Sequence, residues 1–220
     1  MTGLTVRRLG ADSDLAEIVA MLSRAFWDDP LFDFLSGGNL LTEYRVLPHV
    51  FHAAVNDFRS EMAELYVAEM SGRPRSFAGW LGPGTFPRSG ASRLARNLRA
   101  ATVLMRLHNR RAAASLLAEV ERRHPTEPHW YLALLGTDPS VQGRGLGTTV
   151  LGPVLGRCDS DGVPAYTETQ RQENVAWYRR CGFAAIDELR IRRAPPIWRL
   201  WRDPQSAGTA PDLSENAVLP

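Results

Sequence analysis

The segment Leu134-Leu135-Gly136-Thr137-Asp138-Pro139-Ser140-Val141-Gln142-Gly143-Arg144-Gly145-Leu146-Gly147-Thr148 constrains this chain more than any other. Upstream, His129 to Thr137 is an apolar run bounded by Pro128 and Pro139, the pattern of a buried strand. Downstream, Leu146 to Cys158 carries apolar residues at helical spacing. Between them glycine stands at 143, 145 and 147. Alternating glycines let a backbone approach a ligand closely, and free N–H groups at a helix start attract anions. The segment reads as a phosphate cradle.

Two familiar cradles are excluded. A dinucleotide fingerprint needs G-x-G-x-x-G, but position 148 is Thr. A Walker A loop needs a lysine, and all 26 Lys or Arg residues here are arginine. Gln142-x-x-Gly145-x-Gly147 after a strand instead resembles the Q/R-x-x-G-x-G/A signature of the GNAT family of N-acetyltransferases. Further on come Tyr166-Thr167-Glu168-Thr169, Asn174 and Trp177-Tyr178-Arg179-Arg180-Cys181-Gly182-Phe183, in the order and spacing of that family's later segments. Pro125 to Phe183 is most similar to its puromycin N-acetyltransferase branch, notably Glu127-Pro128-x-Trp130 and Leu146-Gly147.

A chain of 220 residues suits one domain that buries about 70% of its unfolded surface. No apolar run reaches the ~18 residues of a membrane span, and the N-terminus lacks a basic-then-apolar signal, so a cytoplasmic protein without membrane contact is expected. Cys158 and Cys181 lack C-x-x-C spacing, which argues against a disulfide framework or a metal cluster. Phe86 to Arg123 holds nine Arg against two Glu, which invites a nucleic-acid reading. However, Leu94, Leu98, Ala101 and Met105 recur at helical spacing opposite Arg96, Arg99, Arg106 and Arg110. An amphipathic helix with a solvated basic face is the expectation, with no nucleic-acid partner. Homodimerisation stays open.

Along the chain, Leu4 to Leu9 alternates as a first strand. Asp12, Ser13 and Asp14 offer caps for a helix buried through Leu15, Ile18, Val19 and Leu22, with Glu17 completing a capping arrangement with Asp14. Leu31 to Leu35 forms a short helical turn, and a helix from Leu41 to Phe58 contains Pro48. Glu64 to Met70 and Ser76 to Leu81 read as a hairpin joined through Ser71-Gly72-Arg73-Pro74. A helical insertion, about 85–125, precedes the cradle strand. Pro153 is expected to kink the cradle helix without breaking it. A strand at Ala165 to Thr169, a helix at Asn174 to Arg180, and an antiparallel pair at Phe183 to Ile191 and Ile197 to Arg202 follow. Residues 1–202 form the expected domain, and 203–220, rich in Gly, Ser and Pro, an expected disordered tail. His49 and His52 lack a third metal ligand and read as packing.

The resemblance implies a mixed, mostly antiparallel α/β sheet that splits in the middle, with helices on both faces and the insertion between strands three and four. It implies acetyl-coenzyme A as donor and a primary amine of a small molecule as acceptor, the alternatives being acetylation of a protein or peptide amine and a non-catalytic acyl-coenzyme A sensor. Leu135, Gly136 and Thr137 would meet the pantetheine arm as a neighbouring strand would. Gln142, Gly143, Arg144, Gly145, Leu146, Gly147 and Thr148 would hold the pyrophosphate, and Asn174 would touch the cofactor unless it caps a helix. Tyr178 would protonate the departing thiolate, the alternative being an aromatic packed on a helix. Glu168 would take the amine proton, the alternative being a structural carboxylate at a strand end. Trp27, Asp28 and Asp29 would line the acceptor side, the alternative being solvated loop acids. Trp198 and Trp201 read as structural.

Overall fold

The computed structural model describes residues 3–10, 15–59, 63–86, 109–191 and 194–206. Its central hairpin joins β2 (Glu64–Met70) to β3 (Arg73–Leu81) through Ser71 and Gly72 alone, at φ 54° and 73°. Two successive residues at positive φ give a loop whose twist matches that of the flanking strands. The expected four-residue connection is therefore too long, and Arg73 and Pro74 belong to β3. The register then slips, since Ala68 faces Ser76 while Glu69 faces Pro74.

The remaining strands are β1 (Leu4–Arg8), β4 (Trp130–Thr137), β5 (Ala165–Thr169), β6 (Ala184–Leu189) and β7 (Ile197–Arg202). They form one seven-stranded sheet in the order β1-β2-β3-β4-β5-β7-β6. β4 and β5 run parallel and all other neighbours antiparallel. This is the mixed α/β sheet expected.

Successive side chains of a strand point to opposite faces, so neighbours feed separate cores. Val67 and Phe77 join Ile18, Met21 and Leu22 of α1 (Ala16–Ala25) and Leu47, Phe51 and Val55 of α3 (Leu40–Arg59). Ala68 and Ala78 instead meet Val150, Leu151 and Val154 of α5 (Leu146–Asp161) and Val175 and Tyr178 of α6 (Gln172–Arg180). The short α2 (Pro30–Ser36) packs beside α3, and α4 (Arg110–Arg123) lies between β3 and β4 in sequence. Leu116 of α4 is buried with Leu189 and Ile197. The rest of the insertion, including Leu94, Leu98, Ala101, Met105 and Arg96, lies outside the described residues. Among the described residues no helix is long and apolar enough to cross a membrane.

Several local expectations change. Leu15 is the N-cap of α1 and makes no side-chain cap bond, while residues 12–14 lie outside the description. α3 runs through Pro48 as one helix, α5 is unbroken at Pro153 as expected, and α5 continues past Cys158 to Asp161, where Gly162 at φ 68° ends it. His49 and His52 are exposed instead of packed, because Val46, Leu47, Phe51 and Val55 take the buried face of α3. His52 meets the Asn56 amide at 3.2 Å. Beyond β7, the Gln205 amide donates to Asp159 at 2.7 Å, which ties down the start of the segment expected to be disordered.

One irregularity directs the rest. On β3, Trp80 faces Leu132 while Gly79 faces Leu134, so Ala133 is an extra residue on β4. Past it the facing of β4 reverses: Leu134 joins the α1 side and Leu135 the α5 side. Gly136 is thereby turned onto α1. A Cβ there would stand 2.7 Å from Leu22 Cδ2 and 3.0 Å from Phe26 Cε2, so only glycine fits. Gly136→Ala is expected to cost about 1–3 kcal/mol of unfolding free energy through overpacking, read by urea denaturation.

The strand's end is pinned by Asp138, 4% exposed at its side chain, to Arg24 of α1 at 2.6 Å and Arg75 of β3 at 3.2 Å. Burial alone would raise this carboxyl, but hydrogen bonds from Arg24 and Ser140 hold it at about 2 against an ordinary 3.8. A depressed folded value stabilises the fold above the unfolded one and is lost as pH falls between the two. Asp138→Asn should therefore cost on the order of 2 kcal/mol at pH 7. In urea titrations the gap from wild type should narrow at pH 3.

Candidate active site

The parallel ladder between β4 and β5 is short. It pairs Trp130 with Ala165, Tyr131 with Tyr166 and Leu132 with Thr167, then stops. β4 continues to Thr137 and β5 to Thr169, so the strands separate just where Ala133 is inserted. The Thr167 hydroxyl donates to the Leu132 carbonyl at 2.9 Å and closes the base of the fork. Leu135, Gly136 and Thr137 pair with Ala78, Phe77 and Ser76 of β3, and among the described residues their other edge has no strand partner. An unpaired edge offers N–H and C=O groups at strand spacing.

The glycine turn follows. Gly143 and Gly145 are left-handed at φ 74° and 77°, a conformation that glycine adopts without strain. Gly145 is also the N-cap of α5, and no side chain caps that end. The leading amides of a 16-residue helix are thus uncapped at the positive end of its dipole. A Cβ on Gly145 would meet nothing within 4 Å, so the cradle is open on that side. The Gln142 side-chain amide reaches back to the Thr137 carbonyl at 3.3 Å, and Arg144 is exposed. The Thr148 hydroxyl lies beside the Cys181 thiol. Strand edge and helix start together fit a pantetheine arm followed by a pyrophosphate.

Tyr178 comes to the base of the fork from α6. Its buried phenol lies by the Thr167 hydroxyl, and burial pushes its pKa well above the usual value. A phenol so placed holds its proton at neutral pH. Asn174 caps no helix, since the N-cap of α6 is Arg171; its side-chain amide donates to Thr169 at 3.2 Å. The thiol of neighbouring Cys181 is pushed up to about 11 by burial, so it is not a thiolate nucleophile at pH 7.

Glu168 follows the last residue of β5 that pairs with β4, and it points to the opposite face from Thr167. It is almost fully enclosed. Tyr131 donates to Oε2 at 2.7 Å and Tyr166 to Oε1 at 2.8 Å, while Arg199 Nε donates to the Tyr166 oxygen at 3.0 Å. Burial raises the Glu168 pKa; the two phenols and Arg199 pull the other way. His124 Nδ1 lies 3.9 Å from Oε1. Burial, followed by His129 and Arg199, pushes the His124 imidazole down to about 3, so it is neutral at pH 7.

Tyr131, Tyr166, Arg199, His124 and His129 were not anticipated. Tyr166 and Glu168 stand two apart on one strand, so their shared face was legible. Tyr131 joins them only through the parallel register, and the histidines only through tertiary packing.

The α1–α2 loop lies over the segment leading from β5 into α6. Arg171 pairs with Asp28 Oδ1 at 2.7 Å and also bonds the Asp28 carbonyl. Asp29 is 7% exposed and caps α2 by accepting from the Leu31 amide at 2.9 Å. It is a helix cap, unlike the solvated acid or free ligand of the sequence reading. Trp27 is exposed and stands edge-on to Tyr44 at 6.1 Å. Buried Glu43 lies in the field of Asp33, Asp28 and Asp29, and its Oε1 has no hydrogen-bond partner. Trp198 packs on the α5 side of the sheet, and Trp201 stacks near His129 and Tyr166.

Comparison with known proteins agrees with this geometry. Residues 85–183 match the acetyltransferase (GNAT) family. An uncharacterized N-acetyltransferase of Schizosaccharomyces pombe is 26% identical, over 90% of this chain and 83% of its own length. The structure of a histone acetyltransferase HPA2 and related acetyltransferase from Corynebacterium glutamicum superposes with a TM-score of 0.65 at 22% identity, covering 93% of this chain and 98% of that one. The ribosomal-protein-S18-alanine N-acetyltransferase of Escherichia coli follows at 0.53 and 13%, covering 94% and 97%. The split sheet is thus the fold of these acetyltransferases, and residues 85–183, which carry the cradle strand, the glycine turn and its helix, match the GNAT family.

Proposed function

We propose that this enzyme moves acetyl from acetyl-coenzyme A to a primary amine of a small molecule, by direct attack without a covalent enzyme intermediate. The observation that carries the reading is the fork, at whose base a buried carboxylate on one face of the sheet and a buried phenol on the other stand beside the parting strands.

Bound acetyl-coenzyme A supplies a thioester. The edge of Leu135, Gly136 and Thr137 holds the pantetheine arm, and the amides from Gln142 to Thr148 hold the pyrophosphate with Arg144. Asn174 contributes a side-chain contact beside them. Glu168 takes the proton from the amine nitrogen as that nitrogen bonds to the acetyl carbon. Burial raises its proton affinity toward that of a working base. Tyr178 gives its proton to the sulfur as the C–S bond breaks. Trp27 and Asp28 face the acceptor, with Asp29 holding their loop. The acid-rich surroundings of Glu43 and the Trp27–Tyr44 pair suit a cationic or aromatic amine. The puromycin branch remains the proposed nearest relative, on Glu127-Pro128-x-Trp130 and Leu146-Gly147. The two unpaired, buried cysteines suit a cytoplasmic enzyme.

Calorimetric titration with acetyl-coenzyme A tests the donor site: wild type should bind, and Gly145→Glu should not. Failure of folded wild type to bind would remove the reading. Thiol release with a panel of amines should fall by about 100-fold or more in Glu168→Gln and by at least about 10-fold in Tyr178→Phe. Cys181→Ala should retain activity, and its near-total loss would overturn direct attack.

A further inference from the structure

The hydrogen bonds behind Glu168 run in one fixed direction. His129 Nδ1 lies 2.6 Å from the Glu127 carbonyl, and a carbonyl only accepts, so Nδ1 carries the hydrogen. Burial lowers the His129 pKa, and in the neutral ring Nε2 is then a bare acceptor. His124 Nε2 stands 3.0 Å from it and must donate. His124 is neutral too, so its Nδ1 carries only a lone pair. That atom is buried, has no hydrogen-bond partner, and faces Glu168 Oε1 across 3.9 Å.

A lone pair beside a carboxylate is an unsatisfied contact; beside a carboxylic acid it is an acceptor waiting for a proton. Both Glu168 oxygens already accept phenolic hydrogens while the group is ionised. Once Glu168 gains a proton, its new O–H needs an acceptor, and among the described residues His124 Nδ1 stands unused beside it. We propose that His124 is a positioning residue whose Nδ1, held bare by His129 and the Glu127 carbonyl, accepts a hydrogen bond from protonated Glu168 and so favours the proton-loaded form. The proton stays on the carboxyl, and no bond to His124 forms or breaks beyond that hydrogen bond.

The other groups around the pair do not supply this. Tyr131 of β4 and Tyr166 of β5 donate to Glu168, and Arg199 of β7 is engaged with Tyr166, Asp187 of β6 and the Arg123 carbonyl. Tyr178 of α6 is an electrostatic neighbour by way of Thr167. Phe86, Tyr131 and Tyr166 enclose the His124 ring with their own rings. Burial raises the pKa of Tyr166 and Tyr178, so both keep their protons at neutral pH, and Tyr131 donates its hydrogen to Glu168.

The inference bears on catalysis only if Glu168 is the base, so its test reads the carboxyl directly. In chain labelled with 13C at glutamate Cδ, the Glu168 resonance is assigned by its disappearance in Glu168→Gln and followed against pH. His124→Phe, which keeps a ring but loses the acceptor, should lower the midpoint by about one pH unit. His124→Asn, whose Oδ1 can stand where Nδ1 stood, should stay near wild type. An unmoved midpoint in the Phe variant, or equal shifts in both, would overturn the proposal. Should His124→Phe fail to fold, 15N spectra of the wild-type histidines decide: a hydrogen on His124 Nε2 with Nδ1 bare supports it, and a hydrogen on Nδ1 overturns it. Wild-type turnover by Glu168→Gln would instead remove the base reading and leave the hydrogen bond to stand or fall on these spectra.

Discussion

The inserted Ala133 is the constraint on which the site depends. A regular β4 would have kept its parallel ladder with β5 beyond Leu132 and offered no edge. The extra residue bends the strand away, exposes the Leu135–Thr137 backbone on one side, and reverses which face each later residue meets. Gly136 follows from this, since the reversal presses its Cα against Leu22 and Phe26. Asp138 then fixes the strand's end to α1 and β3, so the glycine turn starts from a pinned point. A bulge, a missing Cβ and a buried carboxylate together hold an opening in the middle of a sheet.

Burial sets the chemistry around that opening. The same exclusion of water raises the affinity of Glu168, Tyr178 and Cys181 for protons and lowers that of His124. On the proposed chemistry, the carboxyl is thereby moved toward the basicity of a working base and the phenol keeps its proton for donation, while the thiol stays protonated. The imidazole is kept a neutral acceptor. One physical effect thus assigns four different tasks, and hydrogen-bond partners refine them.

Most of the architecture was legible in the sequence because its elements carry local signals. The strand–glycine turn–helix from His129 to Cys158 and the alternation near Ala165 to Thr169 needed no tertiary knowledge. What was missed depends on register or on packing. The Ser71-Gly72 turn was drawn too long because Pro74 resembles a turn residue, although it sits in β3 just before the register slips. His49 and His52 read as packing for want of a third metal ligand, yet α3 fills its buried face with Val46, Leu47, Phe51 and Val55. Asp29 looked like a free acid, and only the start of α2 shows it to be a cap. The bulge at Ala133 leaves no mark in composition or periodicity.

Thr167 and Glu168, adjacent on β5, point to opposite sides of the sheet, and with them go the phenol on the α5–α6 side and the carboxylate on the α1–α3 side. On the proposed chemistry, the two substrates are served from separate cores that meet at the fork, where Gly136 and Asp138 of the donor strand also rest on α1. Replacing residues around Trp27 or Tyr44 to admit a different acceptor would leave the glycine turn and its helix untouched. A sheet divided in this way lets acceptor choice drift over evolutionary time while the donor half stays fixed.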